Sequence, residues 1–195
     1  MKFTYEPGAT PIDLDGAKDL IPPLTTQEQL NAFEQTNIAA AMDWARKSRK
    51  LKTELLSVDG LCLVHRKMFS ETWKWAGAFR RKDLNIGVPW AQIPEKLKML
   101  CDDVAYWDQH HTYLPAEIAV RFHHRLVQIH PFINGNGRMS RLAADLFLLH
   151  RKHSPLTWGS SINLLDANPD RSEYIAALRE ADHGQIGRLL KFAIG

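Results

Sequence analysis

The chain has 195 residues, of which 45% are hydrophobic and 24% are charged, a composition typical of one globular domain. Its formal net charge is only +3, so bulk charge does not indicate direct nucleic-acid binding, although a local basic patch stays open. No stretch approaches about 18 consecutive apolar residues, and the prediction therefore contains no membrane-spanning helix.

The N-terminal sequence and the two cysteines indicate the cellular compartment of the protein. Residues 1–16 lack the apolar run of a secretory signal, which such signals require. Cys62 and Cys101 fall inside apolar helical patterns, where buried free thiols are typical of a reducing environment. We therefore expect a cytoplasmic protein.

The first half of the chain predicts a leader, two helical runs and a hairpin. Residues 1–26 are rich in proline and glycine, and we expect an irregular leader packed on a single domain, residues 27–195. Helical periodicity begins near Gln27 and returns over about 54–69. In the following segment, TWKWAGAFRRKDLNIGVPWAQI, short alternating pieces flank a glycine-containing turn. This pattern predicts a small β-hairpin around 84–93.

The second half predicts helices around one interruption. Prolines at Pro94 and Pro115 occupy favoured first-turn positions of two apolar helical patterns, since an N-terminal proline sacrifices no helical hydrogen bond. A further helix is expected over about 138–152, and two short helices close the chain. The fold class is therefore mainly α, with one small hairpin.

The interruption is HPFINGNGRMSR, residues 130–141. His130 precedes Pro131, which disfavours helical backbone at His130, so the helix must end there or just before. We expect Gly135 and Gly137 to allow backbone conformations that other residues avoid, and Arg138 to open the next helix. A glycine loop backed by a helix N-terminus presents N–H groups to an anion, above all to a phosphate.

Charge and a potential base accompany this loop. Arg138 and Arg141 are three residues apart and crowd the positive end of a helix dipole, which is unfavourable by roughly 0.3–1 kcal/mol unless an anion binds. His130 can accept a proton near neutral pH. The combination favours a polyphosphate site with a base over the structural alternative, a loop with a capping histidine. It does not specify the group transferred.

The motif closely resembles the signature of the Fic (Fido) family, His-Pro-Phe-x-Asp/Glu-Gly-Asn-Gly-Arg-x-x-Arg. The resemblance extends to LVHRKMF followed by WKWAGAFR, and to EYIAALREADHGQIGRLLKF near the C-terminus. It covers most of the chain from about residue 27. The leader and the predicted hairpin segment also resemble the Fic subgroup named mobile mystery protein B, and this resemblance suggests a small helix-turn-helix companion protein.

The resemblance implies a helical bundle with a β-hairpin flap, and an enzyme that uses ATP and Mg²⁺ to transfer AMP to a Ser, Thr or Tyr hydroxyl of a protein. By position, His130 would be the general base and Phe132 would anchor the loop in the core. The remaining motif residues would hold ATP. Gly135, Asn136 and Gly137 would bind the α- and β-phosphates, Arg138 would pair with the phosphates, and Arg141 would reach the distal end of the nucleotide.

The flap would clamp the target. The resemblance implies that its residues bind the target segment as an added strand. These residues are Leu84, Asn85, Ile86 and Gly87.

The chain departs from the signature at Asn134, where the family has Asp or Glu. That carboxylate is expected to bind Mg²⁺, and an amide oxygen supplies no charge. Three consequences stay open. Metal affinity drops, the transferred group is phosphocholine, UMP or phosphate, or the chain is a nucleotide-binding or interaction module without turnover.

Many Fic proteins block their own ATP site with a helix that carries Ser/Thr-x-x-x-Glu-Gly/Asn, whose glutamate pairs with the second motif arginine, here Arg141. Glu34 in QLNAFEQTNIAAAMDW is the candidate inhibitory residue. Leu30 and Gln35 depart from the pattern. The alternative is a solvated or capping glutamate.

Overall fold

The computed structural model describes residues 18–159 and 169–195. These residues form eight α-helices and one 3-10 turn, Trp90–Gln92. The helices are α1 Gln27–Lys47, α2 Arg49–Glu54, α3 Val58–Phe69, α4 Ile93–Gln109, α5 Pro115–Ile129, α6 Asn136–His150, α7 Pro169–Asp182 and α8 Gly187–Ile194. The predicted mainly α fold is confirmed.

Side-chain caps set where the first helices begin. Thr26 and Gln29 form a reciprocal capping box at the start of α1, which satisfies backbone N–H groups that the helix leaves without partners. Ser57 accepts a hydrogen bond from the Gly60 amide at 3.0 Å and opens α3. The helical run expected over 54–69 therefore begins later, at Val58.

The centre of the bundle is an antiparallel pair, α5 and α6, joined by the motif loop. α4 packs against α5, α3 against α6, and α1 lies across both α3 and α6. α8 and the preceding α7 cover another side of α5. The inward stripe of α5 is fully buried and follows the helical period: Ile118, Phe122, Leu126 and Ile129. Among the described residues, no helix is both long and apolar enough to cross a membrane.

The predicted β-hairpin is wrong. Residues 78–89 are irregular, and the carbonyls of Lys82 and Val88 accept hydrogen bonds from the Arg80 guanidinium. A lone hairpin is marginal in water, and here a side chain replaces the partner strand as donor. The name flap refers from here on to residues 82–88, which include the four residues expected to bind the target.

The described part of the leader lies against the segment after α3. The Ile21 amide donates to the Thr72 carbonyl at 2.9 Å, and the Lys74 amide donates to the Asp19 carbonyl at 3.0 Å. These bonds flank an isolated antiparallel bridge between Leu20 and Trp73. The rest of the predicted leader, residues 1–17, lies outside the described residues.

Candidate active site

His130 stands at the junction between α5 and the motif loop. α5 ends at Ile129 and His130 adopts left-handed backbone, with φ 52° and ψ 59°. Such backbone is uncommon for a residue with a side chain, and Pro131 already disfavours the helical alternative. The helix therefore ends just before His130, as the sequence predicted.

His130 is neutral at physiological pH. Its side chain is buried, with 6% exposed. Burial lowers its pKa to about 4, the charge of Arg80 acts in the same direction, and a hydrogen bond with the Val127 backbone opposes both. A neutral imidazole can accept a proton, which a general base requires.

The loop is closed from within by Asn136. Its amide oxygen accepts from the Phe132 N–H and its amide nitrogen donates to the Phe132 carbonyl, both at 2.9 Å. Phe132 is fully buried and stacks on His65 with ring centroids 3.8 Å apart. The Asn136 side chain thus holds the loop together, and its binding of phosphate stays a prediction.

The two motif glycines differ. Gly135 has φ +78°, and a Cβ there would stand 2.6 Å from the Phe69 ring, so glycine is required by both backbone and space. Gly137 lies inside α6 and lacks a positive φ; the nearest atoms to a Cβ there, on Arg141 and Tyr174, would be 3.8 Å away. The expectation of unusual backbone is correct for Gly135 and wrong for Gly137.

The N-terminus of α6 is an anion-attracting feature. Gly135, which has no side chain, occupies the N-cap position. The first amides of a helix lack intrahelical acceptors and carry the positive end of the helix dipole. The predicted arrangement, a glycine loop followed by a helix N-terminus, is therefore present.

The two motif arginines take different partners. Arg138 donates to Glu34 at 2.5 Å and to the Asn134 amide oxygen at 3.3 Å, and its guanidinium lies over the Phe69 ring. The Arg141 guanidinium lies 5.4 Å from the centre of the Tyr174 ring. The expected pairing of Glu34 with Arg141 is therefore replaced by a pairing with Arg138.

Glu34 is buried between two donors. Its exposed fraction is 6%. One carboxylate oxygen accepts from the Trp73 indole at 2.6 Å and the other accepts from Arg138. A buried carboxylate needs such partners. Glu34 therefore forms a buried ion pair with Arg138 and is not the solvated glutamate considered as the alternative.

Asn134 offers one neutral oxygen for a metal. That oxygen accepts from the Gly135 amide at 2.6 Å and from Arg138 at 3.3 Å. Among residues 18–159 and 169–195, no three His, Cys, Asp or Glu side chains group as a metal site. Mg²⁺ accepts hard oxygen ligands and often takes several from phosphates. The residues present therefore fit Mg²⁺ only if a nucleotide supplies phosphate ligands and also draws Arg138 away from the Asn134 oxygen.

Sequence reasoning missed His65. The Gly77 amide donates to its Nδ1 at 2.9 Å, so Nε2 carries the proton and donates to the Asn134 carbonyl at 3.0 Å. His65 is fully buried on α3, four residues after Leu61. A histidine at an apolar position of a helical pattern was the available signal. It ties the motif loop to α3.

The chain resembles proteins of known family. Residues 55–148 match the model of the Fic/DOC family. "Protein adenylyltransferase Fic" of Drosophila grimshawi is 30% identical over 155 residues, which is 78% of this chain and 30% of that protein. The protein of the same name from Nematostella vectensis is 25% identical over 163 residues, 82% of this chain and 36% of that protein. The chain spans about a third of the length of these curated relatives.

Solved structures show the same fold. BepC from Bartonella tribocorum, a VirB-translocated effector crystallised with bound AMPPNP, has a TM-score of 0.71 at 18% identity and covers 96% of this chain and 92% of its own. A Fic domain-containing signaling protein from Bacteroides thetaiotaomicron has a TM-score of 0.69 at 16% identity, with 87% and 70% covered.

Because His65 is buried, we expect the free energy of unfolding to decrease in acid. Burial, aided by the charge of Arg138 and opposed by the bond to Asn134, lowers its pKa from 6.5 to about 3. Between these values the unfolded chain binds a proton that the folded chain excludes, so the free energy of unfolding falls as pH falls. His65→Gln should flatten this dependence between pH 6.5 and 4.5 by up to about 1.4 kcal/mol per pH unit.

Urea unfolding at a series of pH values measures this slope. The control is His153→Gln, because His153 is exposed and its ring is solvated in both states. A slope in His65→Gln equal to that of the unsubstituted protein would contradict the assignment.

Proposed function

Because this chain belongs to the Fic/DOC family, we propose that it transfers AMP from ATP to a hydroxyl side chain of a protein. The observation that carries the proposal is the juxtaposition of a neutral histidine, His130, with a helix N-terminus and two arginines within one turn. A base, an anion site and positive charge are the parts that nucleotidyl transfer to a hydroxyl requires.

In the proposed reaction the target hydroxyl oxygen attacks the α-phosphorus of ATP. An O–P bond to the target forms, the bond between the α-phosphorus and the bridging oxygen breaks, and pyrophosphate leaves. His130 takes the hydroxyl proton. A bound phosphate chain also raises the proton affinity of a nearby imidazole, which makes His130 a better base in the complex than in the free protein.

The phosphates would lie on the N-terminus of α6. The backbone amides of residues 135–137 belong to the positive end of the helix dipole, and Gly137 adds no side chain beside them. Arg138 would pair with the phosphates once it leaves Glu34, and Arg141 would neutralise the distal end. Positive charge there stabilises the developing negative charge on the leaving pyrophosphate.

Mg²⁺ would be held by phosphate oxygens together with the amide oxygen of Asn134. The ion neutralises phosphate charge when bound. Asn134 supplies no charge of its own, so we expect weaker metal affinity than a carboxylate would give.

The flap would bind the target. It adjoins His130, and Asn85 and Ile86 are exposed on it. An extended segment could pair there with the flap backbone as an added strand, with its Ser, Thr or Tyr at His130. Leu84 and Gly87 flank these two positions.

The compartment and a companion protein complete the proposal. The free thiols of Cys62 and Cys101 suit a cytoplasmic setting. From the subgroup resemblance we also propose a small helix-turn-helix companion protein.

A second candidate function is a nucleotide-binding module with little or no transfer. It is favoured by the state of Arg138, which bonds both Glu34 and Asn134. In this reading the neutral Asn134 leaves the metal too weakly held for turnover, or a different phosphoryl-containing group is transferred.

Labelled ATP tests the main proposal. Incubation with α-³²P-ATP should label the protein itself or a lysate protein, whereas γ-³²P-ATP should not. His130→Ala should reduce labelling by about 10²–10⁴-fold, the usual contribution of a general base. Label from the γ position alone would mean phosphoryl transfer, and ATP binding without label would favour the module.

Glu34 is proposed to inhibit by holding Arg138. Glu34→Gly should free Arg138 for phosphate, raise ATP affinity about tenfold, equivalent to roughly 1.4 kcal/mol, and increase labelling. The matched control is Gln35→Gly, which introduces the same glycine cost at an exposed position of α1. Unchanged affinity and labelling in Glu34→Gly would remove the inhibitory role.

Asn134→Asp tests the metal proposal. A carboxylate in this position should lower the Mg²⁺ concentration needed for half-maximal labelling, since it adds the charge that the amide lacks. Titration of Mg²⁺ by calorimetry in the presence of AMPPNP gives a second readout that does not depend on turnover. An identical Mg²⁺ dependence in the two proteins would argue against Asn134 as a ligand.

A further inference from the structure

Arg80 is a buried arginine outside the motif. It is 1% exposed. Its Nε donates to the His130 carbonyl at 2.7 Å, and its Nη1 donates to the Lys82 carbonyl at 2.9 Å. Its Nη2 donates to the Val88 carbonyl and, at 3.5 Å, reaches the Ile129 carbonyl. One side chain therefore binds the backbone of His130 and both ends of the flap.

Backbone bonds reinforce this arrangement on both sides of His130. The Arg80 amide donates to the Pro131 carbonyl at 3.0 Å, and the Val88 amide donates to the Ile129 carbonyl at 3.3 Å. The residues before and after His130 are thus each bonded to one end of the same loop.

Gly87 brings the flap directly onto the His130 side chain. A Cβ added at Gly87 would stand 2.7 Å from the His130 Cβ and 2.8 Å from the Arg80 Nη2. These distances are shorter than van der Waals contact, so the flap backbone can approach this closely only as glycine. A displacement of the flap would therefore change the packing around the His130 side chain.

Arginine suits this position for physical reasons. Its planar guanidinium presents five N–H donors in a fixed fork, whereas lysine offers one strongly hydrated point charge. The carbonyls of Ile129 and His130 also form the C-terminus of α5, where the helix dipole favours a cation. A shorter or neutral side chain would leave buried carbonyls without this donor.

We propose that Arg80 is a positioning residue that holds the flap against His130, so that a target segment docked on the flap and the base that deprotonates it keep one register. The inference rests on the proposed function for its catalytic consequence. Its structural part, the coupling of flap and His130, stands on the contacts of Arg80 alone.

The test compares Arg80→Met with Arg81→Met. Arg81 is the adjacent, exposed residue, so the control removes the same charge from the same segment. Arg80→Met should lower kcat for label transfer at least about tenfold, since misplacement of reacting groups by about 1 Å can cost about 10²-fold. The Kd for ATP should stay within about twofold, because Arg80 binds no residue of 134–141 in the contacts described above. Arg80→Lys should restore part of the loss.

A second readout does not require transfer. Carbethoxylation of His130 by diethyl pyrocarbonate, followed by peptide mass spectrometry, reports how well the flap covers the ring. The rate should rise several-fold in Arg80→Met and stay unchanged in Arg81→Met. If Arg80→Met does not fold, Gly87→Ala, whose Cβ would push the flap away from both the His130 Cβ and the Arg80 guanidinium, should show the same pattern.

The outcomes separate the two proposals. Unsubstituted protein that transfers no label counts against the proposed function, and the His130 modification rates still decide the role of Arg80. An Arg80→Met protein, or a Gly87→Ala protein in its place, with unaltered kcat and unaltered His130 modification would overturn the inference. A loss of ATP affinity equal to the loss of kcat would indicate a general structural role and would overturn it as well.

Discussion

Two hydrogen bonds between the Asn136 side-chain amide and the Phe132 backbone hold the turn on which the site depends. Asn136 bonds both the N–H and the carbonyl of Phe132, and this closes the loop between α5 and α6 with residues of the loop itself. Because these buried polar groups satisfy one another, the chain can reverse inside the core. His130 and the start of α6 are brought to opposite ends of the same short turn.

The turn is then fastened to the rest of the bundle from outside. His65 on α3 bonds the carbonyl of Asn134 and stacks on Phe132. Arg80 donates to the carbonyl of His130, where the loop begins. Neither side chain belongs to the motif, yet each binds its backbone, as groups that position a catalytic loop commonly do.

Glu34 and Arg138 form a buried ion pair beside the motif loop. Both charges are removed from most of the solvent, with 8% and 16% of their side chains exposed, and such a pair is stable chiefly because its groups are hydrogen-bonded. An anion that competes for Arg138 must also leave the Glu34 carboxylate with its bond to Trp73. Under the proposed function, the pair would therefore weaken the binding of an anion that needs Arg138.

The helices could be predicted because their signals are local. Pro115 opens α5 and Pro131 ends it, and these are properties of single residues. The resemblance to a known signature located His130 and the arginines in the same local way. The two closing helices, α7 and α8, were also predicted.

The rest depended on contacts between distant segments, which a linear pattern does not contain. The flap was predicted as a hairpin because its residues alternate, but its carbonyls bind Arg80, a donor that strand propensity ignores. Glu34 lies 104 residues before Arg138, so its choice between two arginines is a matter of helix packing. His65 and Arg80 lie in the segments LVHRKMF and WKWAGAFR, but their roles became apparent only through their bonds to the motif loop.

The fold requires glycine at position 135 but not at position 137. In the free protein an alanine could stand at that position at ordinary contact distance from its nearest neighbours, and its helical backbone would tolerate it. Gly135, with left-handed backbone against Phe69, is demanded by folding itself. The core therefore does not require glycine at residue 137, and under the proposed function its missing side chain would serve the bound phosphates instead.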